Sequence, residues 1–124
     1  MLDHMTFRVS DIEKSLKFYE AALTPLGYAV AHDFEHDGVR IVGLAKDGAP
    51  DTWLVARLPE TSGAHLAWRA ASQAEVDAFY KAGLAAGGRD NGAPGLREHY
   101  HPGYYGAFLM DPDGNNIEAV FHGQ

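Results

Sequence analysis

The chain is predicted to be an α+β protein made of two βαβββ modules, and three observations carry that reading. The first is an internal repeat. Shifting the 124-residue chain by 61 positions aligns His4 with His65, Arg8 with Arg69, Phe18 with Phe79, Tyr19 with Tyr80, Ala21 with Ala82, Leu23 with Leu84 and Gly27 with Gly88, seven identities in 24 positions. Average residue usage would give about two. The second observation is that each copy runs from an alternating strand through a capped amphipathic helix to a glycine. The third is the turn Asp111-Pro112-Asp113-Gly114 between two strand-like segments, where proline presets the first corner and glycine accepts positive φ.

In the opening segment HMTFRV, Met5, Phe7 and Val9 share the apolar face, so His4, Thr6 and Arg8 point the other way. Ser10 with Glu13, and Ser72 with Glu75, have capping-box spacing ahead of helices near residues 11–23 and 73–85. Ile12, Leu16, Tyr19 and Leu23 form the core stripe of the first helix; Val76, Phe79, Tyr80 and Leu84 form that of the second. The caps are 62 residues apart against a repeat of 61, which predicts one extra residue before the second helix. YAVAHDF, VRIVGLA and TWLVARL read as the remaining strands of the first module, separated by His36-Asp37-Gly38 and KDGAPD. In HLAWR, Leu66 and Trp68 face the second helix while His65 and Arg69 face away. RDNGAPGLREHYHPG is rich in Gly and Pro and is predicted to be a broken strand or a long loop, followed by the hairpin YYGAFLM/NIEAVFH. The expected organisation is one domain over 1–124, with modules of about 1–58 and 63–124.

Composition excludes several classes. Cysteine is absent, so disulfides, thiolate metal sites and cysteine nucleophiles are ruled out. A net charge of −7 argues against a nucleic-acid partner. No leader-like segment or apolar run of membrane-spanning length occurs, so cytoplasmic location without membrane association is expected. No dinucleotide-binding glycine motif and no nucleophile elbow is present.

Glu118 is the informative residue. It lies in the strand NIEAVFH, with Ile117, Ala119 and Phe121 on one face and Glu118, Val120 and His122 on the other. A solvated strand face would explain one glutamate. Two histidines, His4 and His65, at equivalent repeat positions on helix-averted faces, joined by Glu118 on the same kind of face, point instead to a shared cavity and a metal.

These residues carry a resemblance. DHMTFRVSDIEKSLKFYEAAL, GAHLAW and AFLMDPDGNNIEAV together resemble the vicinal oxygen chelate superfamily, which includes glyoxalase I, fosfomycin-resistance proteins, extradiol dioxygenases and bleomycin-resistance proteins. The resemblance spans essentially the whole chain. It implies a curved eight-stranded sheet with a concave metal-binding cavity and helices outside, a homodimer, and one divalent ion (Zn, Ni, Mn or Fe) on His4, His65 and Glu118. It further implies a metal-dependent enzyme, a lyase, isomerase, transferase or ring-cleaving dioxygenase, acting on a small oxygen-chelating substrate. The alternative is a non-catalytic small-molecule or drug-binding protein of the bleomycin-resistance kind. Glyoxalase I has a fourth ligand, a Glu on the last strand of its first module, but Thr52 to Arg57 contains no carboxylate here.

A second cluster, REHYHPGYYGAF, is expected to border the substrate entrance. His101, Tyr100 and Tyr105 are the candidate acid–base groups. Arg97, Tyr104 and His99, with Trp53 from the first module, are candidates for substrate binding. Arg8 and Arg69 lie about 13 Å along their strands from the histidines, too far for direct chemistry.

Overall fold

The computed structural model describes residues 1–123 and contains both copies of the repeated unit. The first comprises β1 (Met5–Arg8), α1 (Ile12–Leu23), a 3-10 turn (Thr24–Leu26), β2 (Ala29–His36), β3 (Val39–Ala45) and β4 (Thr52–Val55). The second comprises β5 (His65–Arg69), α2 (Gln73–Ala85), β6 (Arg89–Leu96), β7 (Tyr104–Met110) and β8 (Asn116–His122). The strands form two four-stranded sheets of matching order, β1-β4-β3-β2 and β5-β8-β7-β6. In each sheet the first strand runs parallel to the last, and the other neighbours are antiparallel. The eight strands and two helices expected from the repeat are all present, divided within one chain into two sheets of four.

The first helix is capped differently from the expectation. Asp11 is the N-cap and accepts from the Lys14 N–H, whereas Ser10 bonds through its N–H and its hydroxyl to Asp113 in the β7–β8 turn. Asp and Ser cap about equally well, so the long-range bond decides which residue serves. Ser72 caps α2, and the Glu75 carboxylate reaches back to the Ala71 N–H. With caps at Asp11 and Ser72, the cap offset is 61, and the extra residue inferred from Ser10 disappears.

Arg89–Leu96 forms a strand despite its glycines and proline, because β6 is an edge strand and its irregularities are absorbed by register shifts at Gly92 and Gly95. Arg97 fastens this strand: its guanidinium donates to the carbonyls of Ala93, Gly95 and Gly106. The β2–β3 hairpin turns on Asp37 and Gly38, both at positive φ, the geometry that matches strand twist.

One continuous core joins the two units. Phe7, Phe18, Tyr19 and Leu54 from the first pack with Trp68, Phe79, Leu109 and Ile117 from the second, and α1 lies against α2. The turn after β7 clamps this core. Asp111, 2% exposed, accepts from the Tyr19 hydroxyl (2.5 Å), the Asn115 N–H and side-chain amide, and the Asp113 N–H. Asn115 in turn bonds Thr61 and Ala64 in the connection between the units. Because the helix-facing sides of both sheets are consumed by this core, His4, Thr6, Arg8, His65, Ala67 and Arg69 remain on outward faces, as strand alternation predicts. Among the described residues no helix is long and apolar enough to cross a membrane.

Candidate functional site

Glu118 sits on an interior strand, opposite Ala67 of β5 and Phe108 of β7. It is 1% exposed, which removes the solvated-face explanation. A buried carboxylate needs directional partners, and Glu118 has two. Its Oε1 lies 2.8 Å from His65 Nε2, and its Oε2 accepts from the Tyr104 hydroxyl. Burial first, and then the Glu118 hydrogen bond and charge, hold the Tyr104 phenol well above its ordinary range, so at neutral pH it is a donor. Gly106 leaves room for this arrangement: a Cβ there would stand 3.3 Å from Glu118 Oε2 and 3.2 Å from the Tyr104 ring. The His65 side chain is 52% exposed, so the pair is open to solvent on the imidazole side.

His4 lies elsewhere. It precedes β1, its Nδ1 is 2.5 Å from the Asp3 carboxylate, and with Thr6, Ile41, Trp53 and Val55 it lines a cavity of 470 Å³ on the outward face of the first sheet. Among the described residues no three His, Asp or Glu side chains are grouped to hold a metal. A single chain thus brings His65 and Glu118 together and leaves His4 apart from them. Trp53 pairs with Thr6 as Glu118 pairs with Ala67, 61 residues on, so Trp53 occupies the register that Glu118 has in the other sheet. This places an indole where a fourth carboxylate ligand would have stood.

The Arg97–Tyr105 segment divides. Tyr105 is turned to the helix side, where its hydroxyl donates to Asp77 of α2, because adjacent residues of β7 alternate faces and Tyr104 takes the Glu118 side. Tyr105 is therefore not on the face of the Glu118 pair, a correction to its expected acid–base position. Arg97 spends its hydrogen bonds on backbone carbonyls and lies over Phe108, 5.2 Å from the ring centroid. With His99, Tyr100, Asn91, Phe108 and Asn116 it lines a cavity of 300 Å³. His101 donates from Nδ1 to the Pro102 carbonyl (2.9 Å), which leaves Nε2 as the acceptor for His122 Nδ1 at 3.0 Å. Tyr100, His101 and His122 all meet the Tyr104 ring edge-on.

The direct Tyr104–Glu118 bond and the His122 partnership were missed from sequence. Both follow from counting back by twos from Phe108 and forward by twos from Glu118, once the hairpin register is fixed. A separate cleft of 520 Å³, rimmed by Lys14, Lys17 and Arg89, contains none of these candidates.

Comparison with known proteins supplies the context. The model of the Glyoxalase/Bleomycin resistance protein/Dioxygenase superfamily matches residues 1–119. The chain is similar to the crystal structure of a glyoxalase/bleomycin resistance protein from Albidiferax ferrireducens T118 (31% identity, 96% of each chain, TM-score 0.71). It is also similar to TnmS3, an antibiotic binding protein from Streptomyces sp. CB03234 (26% identity, 98% of this chain and 95% of that one, TM-score 0.68). Glyoxalase I from Zea mays shares the fold at 20% identity and TM-score 0.71, with this chain spanning 43% of its length. No curated relative matches.

Proposed function

Since the chain belongs to the Glyoxalase/Bleomycin resistance protein/Dioxygenase superfamily, we propose that it is a divalent-metal-dependent enzyme acting on a small oxygen-chelating molecule, with its metal held by His65 and Glu118 of one copy and His4 of a second. The observation that carries this reading is the buried Glu118 carboxylate beside the half-exposed His65 imidazole, 2.8 Å apart on a sheet face. One imidazole and one carboxylate form an incomplete donor set that suits Zn, Ni, Mn or ferrous iron. The third donor, the His4 imidazole, is carried by the other sheet. His65 opens β5 and His4 immediately precedes β1, both of them edge strands where another copy can be joined.

A bound divalent ion would supply Lewis acidity toward neighbouring oxygens of the substrate. The chain's own residues do the rest. Tyr104 orients Glu118 by donating to Oε2, leaving Oε1 with His65 as the open side. Tyr100, His99 and Asn116, which line the 300 Å³ cavity, are candidate substrate contacts, and the hydrogen-bonded His101 and His122 rings pack on Tyr104.

A second reading, a non-catalytic small-molecule binder, is favoured by Trp53 standing in the register of Glu118 where a fourth ligand, a second carboxylate, would be, and by the likeness to an antibiotic binding protein. Metal titration separates the two. Calorimetry with Zn²⁺, Ni²⁺, Mn²⁺ and anaerobic Fe²⁺ is expected to show about one ion per chain, weakening as pH falls through the imidazole range. Sedimentation is expected to give twice the 13.5 kDa chain mass. No uptake, with a monomer at micromolar concentration, would favour the binder.

A further inference from the structure

Lys14 and Lys17 stand one turn apart on α1, and Arg89 opens β6 in the other unit. The three cations meet at the cleft of 520 Å³, whose remaining wall is formed by Ala86, Gly87, Asp111 and Pro112. Both units therefore contribute to it, and it shares no lining residue with the cavities at His4 and at Tyr100. Across the chain acidic side chains outnumber basic ones by 17 to 10, yet here three cations face one carboxylate.

The protein's own groups do not account for this charge. Among the described residues, Lys14, Lys17 and Arg89 form no ion pair. Glu13 has the i,i+4 spacing to Lys17 that favours a pair on one helix, but its carboxylate pairs with Arg40 of β3. Asp11, three residues before Lys14, is used as the N-cap of α1. Lys14 itself occupies the first turn of that helix, where the dipole opposes a cation. The opposite wall has no need of donors either. At the end of α2 the carbonyls of Ala82, Gly83 and Leu84 accept from the N–H groups of Ala86, Gly87 and Gly88. Asp111 takes its four bonds from Tyr19, Asn115 and Asp113.

We infer that this cleft binds an organic phosphate, a phosphomonoester carried on a non-aromatic body. Three cations against one carboxylate leave about two positive charges, and a phosphomonoester carries about −1.5 to −2 at neutral pH. Lys14 and Lys17, neighbours at i,i+3, converge on one group as point charges, while Arg89 supplies the planar fork that phosphate oxygens accept. The volume of 520 Å³ exceeds what a bare phosphate fills and lies within the roughly 300–1,000 Å³ of small-molecule sites. Room for the body is left at Gly87, where an added Cβ would meet nothing within 4 Å. No aromatic side chain lines the wall, so a nucleotide base would have nothing to stack on. The inference is independent of the metal reading.

The test titrates ribose 5-phosphate, ribose, adenosine monophosphate and inorganic phosphate into ¹⁵N-labelled full-length protein at low salt while the backbone amides are followed. Ribose 5-phosphate is expected to shift the amides of Lys14, Lys17, Gly87 and Arg89, equally in wild type and in Glu118→Gln, which lacks the anionic donor of the proposed metal site. Inorganic phosphate should reach the same amides more weakly, adenosine monophosphate should bind no more tightly than ribose 5-phosphate, and ribose should leave them unmoved. Affinity for ribose 5-phosphate is expected to fall by at least about tenfold in the double variant Lys17→Glu/Arg89→Glu, since charge-assisted bonds to phosphate are the strong ones. Both side chains are exposed, and the neutral pair Lys17→Gln/Arg89→Gln, expected to give a smaller loss, serves if the reversed pair does not fold. Shifts confined to other surfaces, a response that survives both double variants, or equal binding of ribose and its phosphate overturns the proposal. Inorganic phosphate bound as tightly as the ester, or a tighter adenosine ester, overturns the assignment of a non-aromatic phosphomonoester.

Discussion

Glu118→Gln is expected to reduce divalent-metal affinity by more than about 100-fold, with any activity lost in parallel. The estimate is a lower bound, because loss of an outer-shell partner alone costs about 10–100-fold, and this change removes the only anionic donor of the proposed set. The amide keeps the shape of the carboxylate and can still accept from Tyr104, so the metal-free fold should survive. Replacing the carboxylate by an amide also removes an ionised group from a side chain that is 1% exposed. Apo Glu118→Gln is therefore expected to melt at or above the wild-type temperature. Calorimetric metal titration and thermal denaturation of the same preparation read both outcomes. Unchanged affinity would show that Glu118 serves only the packing of β8.

Asp111→Ala is expected to be the most destabilising single change in the turn, by about 3–5 kcal/mol, because several buried donors lose their acceptor at about 1–3 kcal/mol each. The carboxylate takes four hydrogen bonds at 2% exposure, and without it the Tyr19 hydroxyl and both Asn115 donors lose their acceptor inside the core. A fall in melting temperature of about 10 °C or more should follow for a domain of this size. The same network sets an alkaline limit in the wild type. Burial first, and then the Asp111 charge and hydrogen bond, raise the Tyr19 phenol well above its ordinary value of 10.0. A group whose folded pKa is raised contributes stability that is complete below the unfolded value and is lost as pH climbs toward the folded one. Unfolding free energy should thus hold level through neutral pH and decline above about pH 10. Denaturant melts of wild type and variant between pH 7 and 11 would check both, and an Asp111→Ala protein as stable as wild type would remove the clamp from the account.

Much of this was legible in the sequence, for identifiable reasons. The 61-residue repeat fixed both helices, and strand alternation placed His4, His65 and Glu118 on helix-averted faces, because period-two patterns leave no freedom once one face is buried. The first helix cap was misread since Ser10 and Asp11 are chemically near-equivalent there, and the deciding bond comes from Asp113, 103 residues away. Strand β6 was hidden by Pro94 and two glycines, which an edge position tolerates. Tyr104 and Tyr105 could not be assigned to faces before the start of β7 was known, since one residue of register reverses both. The placement of the Trp53 ring over Gly43 depends on a residue of the preceding strand, a contact that neither residue signals alone.

The most direct test of the central claim is a mixing experiment with His4→Ala and Glu118→Gln. Each variant alone should bind metal poorly, since each lacks one donor in every site. If the site joins His4 of one copy to His65 and Glu118 of another, a mixed dimer holds one site with both lesions and one site with none. Random reassortment of equal amounts makes half the dimers mixed, so the mixture should recover about one quarter of wild-type metal capacity. Recovery to that level after unfolding and refolding the two variants together, and none when they are refolded apart, is the result expected. No recovery in the co-refolded mixture, with both variants folded and dimeric, would contradict a metal centre shared between two copies.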